Sequence, residues 1–288
     1  MSKRILVVGL QPNDAGKTTL CKALIHGFKE TGVTLVPFKP HSGMGYWSQF
    51  DVFQRNLANG SLLSSDIMEL EGAAQCQIPL EVLNPVNRLS CPVPNTGMPE
   101  EKLAFQEFIA ERFTHHDGIA HRNVYYLNGA LNLSRLRDMQ RFYLRIKRNA
   151  QKTYFIRKFE DLVEAYSMNF DKATSSCYAR LRNMPLIVES FNDAAYPFNH
   201  AEDCDTVLCV ASNTVLQFEE RRYFEAIESR GKEKPRLQLT LSHVYAPSLI
   251  KAKFIVQPLT TDERNDPAKL TQNYSEVIKK IVETAQPT

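Results

Sequence analysis

Gly9-Leu10-Gln11-Pro12-Asn13-Asp14-Ala15-Gly16-Lys17-Thr18-Thr19 is the stretch on which the reading of this chain turns. Before it, Lys3 to Gly9 reads as a buried strand, because Ile5, Leu6, Val7 and Val8 follow one another without a polar break. After it, Lys17 to Glu30 reads as an amphipathic helix. A turn that leaves a strand and enters a helix on Gly-Lys-Thr is the setting of a phosphate-binding loop, or P-loop. Gly16 lets backbone N–H groups close around phosphate oxygens. The helix N-terminus adds partial positive charge. Lys17 can neutralise the outer phosphates, Thr18 can ligate Mg²⁺, and Thr19 can hold the innermost phosphate. Gly9, Asn13, Asp14 and Ala15 complete the expected cradle. Six residues separate Gly9 from Gly16, where the common pattern is G-x-x-x-x-G.

Outward from this loop, short apolar runs alternate with helical patterns. Val33 to Lys39 reads as a second strand, and Pro185 to Ser190, Thr206 to Ala211, Arg236 to Ser242 and Lys253 to Val256 as later ones. Ser64 to Cys76, Pro99 to Phe113, Val215 to Ser229 and Pro267 to Thr284 read as helices. Such alternation predicts an α/β fold, a mostly parallel sheet of about seven strands with helices on both faces. From Leu133 to Met168 the pattern is strongly helical, so a helical insertion over 115–182 is expected inside a single domain spanning 1–288.

Composition sets bounds. The 288 residues are 43% hydrophobic and 23% charged, ordinary values for a globular chain with one large core, or one core plus a smaller appended unit. A net charge of +3 is too small to imply a nucleic-acid partner by itself. No apolar run approaches the ~20 residues of a membrane helix, and the N-terminal run stops at Gly9 without a cleavage site. A cytoplasmic protein without membrane contact is the expectation. The cysteines Cys21, Cys76, Cys91, Cys177, Cys204 and Cys209 contain no C-x-x-C pair and read as reduced thiols.

Four segments, in order, resemble the dethiobiotin synthetase-like branch of P-loop proteins, which is related to the cobyrinate amide synthetases. The first is the loop itself, one residue longer than the synthetase form. The second, Phe38-Lys39-Pro40-His41-Ser42-Gly43, is similar to the family's F-K-P-x-x-S-G. The third is Ser65-Asp66, then Asn84-Pro85 leading to Pro92 and Pro94. The fourth, Pro185-Leu186-Ile187-Val188-Glu189-Ser190, is similar to the family's V-L-V-E-G-A-G-G strand. The resemblance implies ATP as substrate and Mg²⁺ as cofactor. It implies Lys17, Lys39 and Ser42 facing phosphates and substrate, and Glu189 on the metal beside Thr18. It also suggests a homodimer. Ser190, Phe191, Asn192 and Asp193 replace the family's glycines, so the floor of the substrate site should differ. The family's base-contacting asparagine falls near Ser242 and His243, and no N-K-x-D base reader is present.

Physics supports part of this independently. Ligands of open α/β sheets bind beyond the C-terminal strand ends, where Lys39 and Glu189 are both expected. Each has a plainer reading: Lys39 as a surface lysine, Glu189 as a carboxylate paired with a neighbouring cation. Asp51, twelve residues after Lys39, is a candidate metal carboxylate or a helix N-cap. Asp66 is a weaker candidate, an acid in the first turn of a helix that Ser65 caps.

Arg137, Arg141, Arg145, Arg148 and Lys152 recur at spacings of four, four, three and four, so one helix face carries them. That stripe is a solvated face, a platform for nucleic acid or another polyanion, or a reach toward the phosphates. Met139, Tyr143, Ile146 and Ala150 fall on the inward face. Tyr125, Tyr126 and Tyr143 read as core. His115, His116, Asp117 and His121 match no zinc spacing and read as a polar loop. The leading expectation is Mg²⁺-dependent hydrolysis of a nucleoside triphosphate, or phosphoryl transfer to a small acceptor. The alternative is a nucleotide-dependent switch whose basic helix binds nucleic acid or a protein.

Overall fold

The computed structural model describes residues 3–12, 15–93 and 97–283. Asn13, Asp14, Pro94 and Thr284 lie outside the described residues. In chain order the elements are β1 (Arg4–Gly9), α1 (Lys17–Glu30), β2 (Val36–Phe38), β3 (His41–Gly45), α2 (Phe50–Asn59) and α3 (Ser65–Ala74). Then come α4 (Leu80–Leu83), β4 (Val86–Ser90), α5 (Glu100–Glu107), β5 (Phe108–His116) and β6 (His121–Asn128). They are followed by α6 (Met139–Asn149), β7 (Lys152–Ile156), α7 (Phe159–Leu181), β8 (Leu186–Glu189), β9 (Thr206–Ala211) and β10 (Thr214–Phe218). The chain closes with α8 (Glu220–Gly231), α9 (Leu241–Val244), β11 (Ile250–Ile255), α10 (Thr261–Asn265), α11 (Pro267–Asn273) and α12 (Ser275–Glu283).

The fold is α/β with mixed sheets, in two compact units. The first comprises Met1–Pro40, Asp66–Gln77 and Leu181–Thr288. Its six-stranded sheet has the order β11-β10-β9-β1-β8-β2. β2, β8, β1 and β9 run parallel, while β10 and β11 pair antiparallel. Ile5, Leu6 and Val7 of the central strand are fully buried, as a strand covered on both faces must be. α1 packs on β1 and β8, and α8 on β9.

The second unit comprises His41–Ser65 and Ile78–Arg180. Its five-stranded sheet has the order β3-β4-β5-β6-β7, with both outer pairs parallel and both inner pairs antiparallel. Val86, Phe113, Phe170 and Ala173 form one apolar cluster there, and Phe108, Ile156 and Leu162 another.

Several expectations are corrected. There are two mixed sheets rather than one, and the parallel run β2-β8-β1-β9 belongs to the first. Segment 115–182 contains β6 and β7 as well as α6 and α7. The predicted helix Pro99 to Phe113 is α5 followed by β5, because Glu111 and Arg112 are buried rather than facing solvent. Arg88 pairs with both Glu111 oxygens, at 3.1 and 3.0 Å. Arg112 gives its guanidinium to the Leu62 and Asn84 carbonyls, at 2.9 and 2.6 Å. The helix expected from Val215 begins only at Glu220, since Val215 to Phe218 finish β10. The expected strand Arg236 to Ser242 is a 3-10 turn followed by α9. Among the described residues no helix is long and apolar enough to cross a membrane.

Candidate functional site

Strand register gathers the site. Val7 of β1 stands opposite Glu189 of β8, and Val188 of β8 opposite Phe38 of β2. The loop after Gly9, Lys39 after Phe38, and Glu189 are therefore at the C-terminal ends of adjacent parallel strands. Crevices outside such ends are where ligands bind in open α/β sheets.

The chain enters α1 through Gly16 at φ 89° and ψ 16°, a left-handed conformation that glycine adopts without steric cost. Among the described residues no side chain caps α1, and no acid lies in its first turn. Its leading amide groups thus keep their hydrogen-bonding capacity for an outside acceptor, and the one carboxylate that Thr18 meets, Glu189, is paired with Lys39 at 2.6 Å. Lys17 folds back over the strand end: a Cβ added to Gly9 would lie 2.9 Å from Lys17 Nζ. Burial, and secondly the nearby Lys39 charge, hold the Lys17 amine below the usual lysine range.

Lys39 Nζ lies 2.6 Å from Glu189 Oε1 and 2.7 Å from Asp66 Oδ2. Lys39 and Glu189 are 3% and 1% exposed. Burial opposes the charge on Lys39, but the two carboxylates outweigh it and raise its pKa. Thr18 Oγ1 donates to the same Glu189 oxygen at 3.0 Å. Glu189 Oε2 and the adjacent Ser190 Oγ are buried and make no hydrogen bond among the described residues. A buried carboxylate oxygen left in that state costs free energy. The donor set fits Mg²⁺, which takes a hydroxyl or one or two carboxylates and completes its shell with water and phosphate oxygens. Among the described residues no trio of His, Cys, Asp or Glu is placed to hold a metal alone, so ligand oxygens would have to complete it.

The other candidates fall elsewhere. Ser42 belongs to the second unit, where its buried Oγ is 2.7 Å from Asn87 Oδ1 and 3.0 Å from Asn84 Oδ1. Asp51 is exposed in the first turn of α2, also in the second unit, and Gln49 rather than Asp51 is the N-cap. Asp66 is the second carboxylate that the fold brings to Lys39. Ser242 and His243 sit in α9, where both hydrogen-bond the cap residue Thr240, at 2.8 and 2.6 Å. No strand supports them, which corrects the expectation of a base-contacting strand. Their segment instead holds the stretch after Glu189: Ala195 N donates to Leu239 O at 2.9 Å and Leu241 N to Asp193 O at 2.7 Å. Ser190 had no sequence signal beyond its place after Glu189.

The basic stripe is not one helix face. Only Arg141, Arg145 and Arg148 lie in α6; Arg137 precedes it and Lys152 begins β7. Asp138, with φ 61°, breaks the run. Arg145 gives Nη1 to the Ala58 carbonyl at 2.6 Å, satisfying an end carbonyl of α2. His115, His116, Asp117 and His121 belong to the β5–β6 hairpin. Asp117 Oδ1 there accepts from Ile119 N at 3.0 Å and Ala120 N at 2.9 Å.

No protein-family model matches the chain, and no curated protein matches it.

Proposed function

We propose that this chain is a P-loop nucleotide-binding enzyme. It binds a nucleoside triphosphate, ATP in the leading reading, together with Mg²⁺. It hydrolyses the triphosphate or transfers its γ-phosphoryl group to a small acceptor. The observation that carries the proposal is the convergence of Thr18 and Lys39 on one buried carboxylate, Glu189, at 3.0 and 2.6 Å, beside an uncapped helix that opens on Gly16-Lys17.

In this reading the α1 amides and Lys17 hold the phosphates. Lys39, kept charged by Glu189 and Asp66, stands ready to meet negative charge that spreads over the transferring group. Bound Mg²⁺ would supply charge neutralisation at the phosphate oxygens, held by Thr18 and the free oxygen of Glu189. Because Lys17, Lys39, Glu189 and Asp66 sum formally to zero, a triphosphate adds net charge that only the metal and helix terminus offset. Binding without metal should therefore be weak.

The test is phosphate release from ATP and GTP by the purified chain, with and without Mg²⁺, alone and with small carboxylate, carbamate or hydroxyl acceptors. Metal-dependent release supports the proposal, and stimulation by one acceptor class identifies the reaction. Absence of both binding and release under all conditions contradicts it.

A further inference from the structure

The second unit carries a surface that the nucleotide proposal leaves unused. Trp47 is the only tryptophan of the chain, and it is 80% exposed. With Tyr46, Phe50 and Arg137 it lines a cavity of about 320 Å³. The floor is rigid. Tyr46 and Phe50 meet edge to face at 5.5 Å, Phe50 stacks on Phe53 at 5.7 Å, and Phe53 packs on the buried Phe142 at 5.2 Å.

Arg137 is placed with equal care. Its guanidinium lies 5.7 Å over the Phe50 ring, and its side chain is 79% exposed. The Tyr46 hydroxyl donates to its carbonyl at 3.1 Å. The next residue, Asp138, takes the left-handed φ of 61°, a costly conformation for a side-chain-bearing residue. Gln54 Nε2 and Arg141 Nη1 each hold one Asp138 oxygen at 3.1 Å. These bonds fix the start of α6 against α2 and set the direction in which Arg137 projects.

Beyond Arg137, α6 carries Arg141, Arg145, Lys147 and Arg148 and no acid from Met139 to Asn149. Its 11 residues extend about 16 Å, longer than one nucleotide. We infer that Trp47, Phe50 and Arg137 form a base-stacking site for single-stranded nucleic acid, whose phosphates run along the cations of α6. An exposed indole lining a cavity with two further aromatic rings suits a base face, and guanidinium groups beside it suit the backbone. A duplex hides its base faces and cannot use the indole. This surface is independent of the triphosphate site, so failure of one leaves the other standing.

The lone tryptophan is its own reporter. A 12-mer of mixed single-stranded sequence should quench its emission saturably, and a duplex of the same sequence should not. With a labelled 12-mer read by anisotropy, Trp47→Ala should weaken binding by about 5- to 150-fold, the loss of one stacked base. Trp47→Phe should restore much of it. Arg137→Gln with Arg148→Gln should lower the salt slope by about 1.4, about 0.7 per phosphate contact. The inference is overturned if the single strand gives no saturable quenching, or if the duplex or a mononucleotide at equal phosphate concentration quenches as well. Unchanged affinity in Trp47→Ala, whose exposed side chain leaves the fold intact, would equally overturn it.

Discussion

Lys39 and Glu189 are closed into a buried ion pair, Nζ to Oε1 at 2.6 Å, between residues at the ends of adjacent parallel strands. Taking Lys39 away leaves the Glu189 charge uncompensated in a low-dielectric site, whereas Lys39 without Glu189 keeps Asp66 at 2.7 Å. Lys39→Met should lower unfolding stability in urea by about 3–5 kcal/mol. Adding Glu189→Gln to it should recover part of that loss, because the second change removes the stranded charge. A single variant as stable as the wild type would show that the pair is solvated.

Glu189 also accepts from Thr18 through one oxygen, and among the described residues its other oxygen has no hydrogen bond. Glu189→Gln should therefore reduce nucleotide affinity in the presence of Mg²⁺ far more than in its absence. Calorimetric titration with and without metal reads the difference. Equal loss in both conditions would assign Glu189 a structural role only.

Gly9 meets its neighbours too closely for a methyl group. A Cβ there would lie 2.9 Å from Lys17 Nζ and 3.1 Å from the Gln11 carbonyl oxygen. The lysine must move, since a backbone carbonyl yields less readily. Gly9→Ala should cost about 1–3 kcal/mol of stability from overpacking and cut turnover by up to about 100-fold through misplacement of Lys17. Turnover at the wild-type level would mean that Lys17 does not need this position.

His115 gives a test of pH dependence. Burial, and secondly Lys172, lower its pKa in the folded chain. The unfolded state binds its proton more readily, near the ordinary value of about 6.5. Its neutral form therefore supports the fold fully above about pH 6.5, and that support is lost as pH falls toward the lowered folded value. The denaturant midpoint should drop on acidification from pH 7.5 to 5, and His115→Asn should flatten the drop. A midpoint difference between the two proteins that stays constant with pH would contradict this.

The parts of the site legible in the sequence were those written in contiguous residues. The strand before Gly9, the turn at Gly16 and the helix from Lys17 follow from local pattern, and so do the strand ends at Lys39 and Glu189. Their meeting depends on register, which the parallel order β2-β8-β1 supplies. The second sheet was hidden for a physical reason. β5 carries Glu111 and Arg112 where a half-buried strand should alternate, and both are buried through partners distant in sequence. β7 begins on Lys152 and follows a basic helix, so its short aromatic run was absorbed into the helical pattern. Ser242 and His243 fit a strand only through the resemblance; Thr240 instead forms a capping box with His243 and hydrogen-bonds Ser242. Trp47 has no motif around it, and only its exposure marks it.

In the proposed function, the loop from Gly9 to Thr19 holds a triphosphate through Lys17. The most direct measurement compares Mg²⁺-dependent phosphate release by the wild type and by Lys17→Ala, with circular dichroism showing both folded. Lys17 contacts that strengthen in the transition state should be worth several kcal/mol, so release is expected from the wild type and none detectable from the variant. Equal release by a well-folded Lys17→Ala would contradict it.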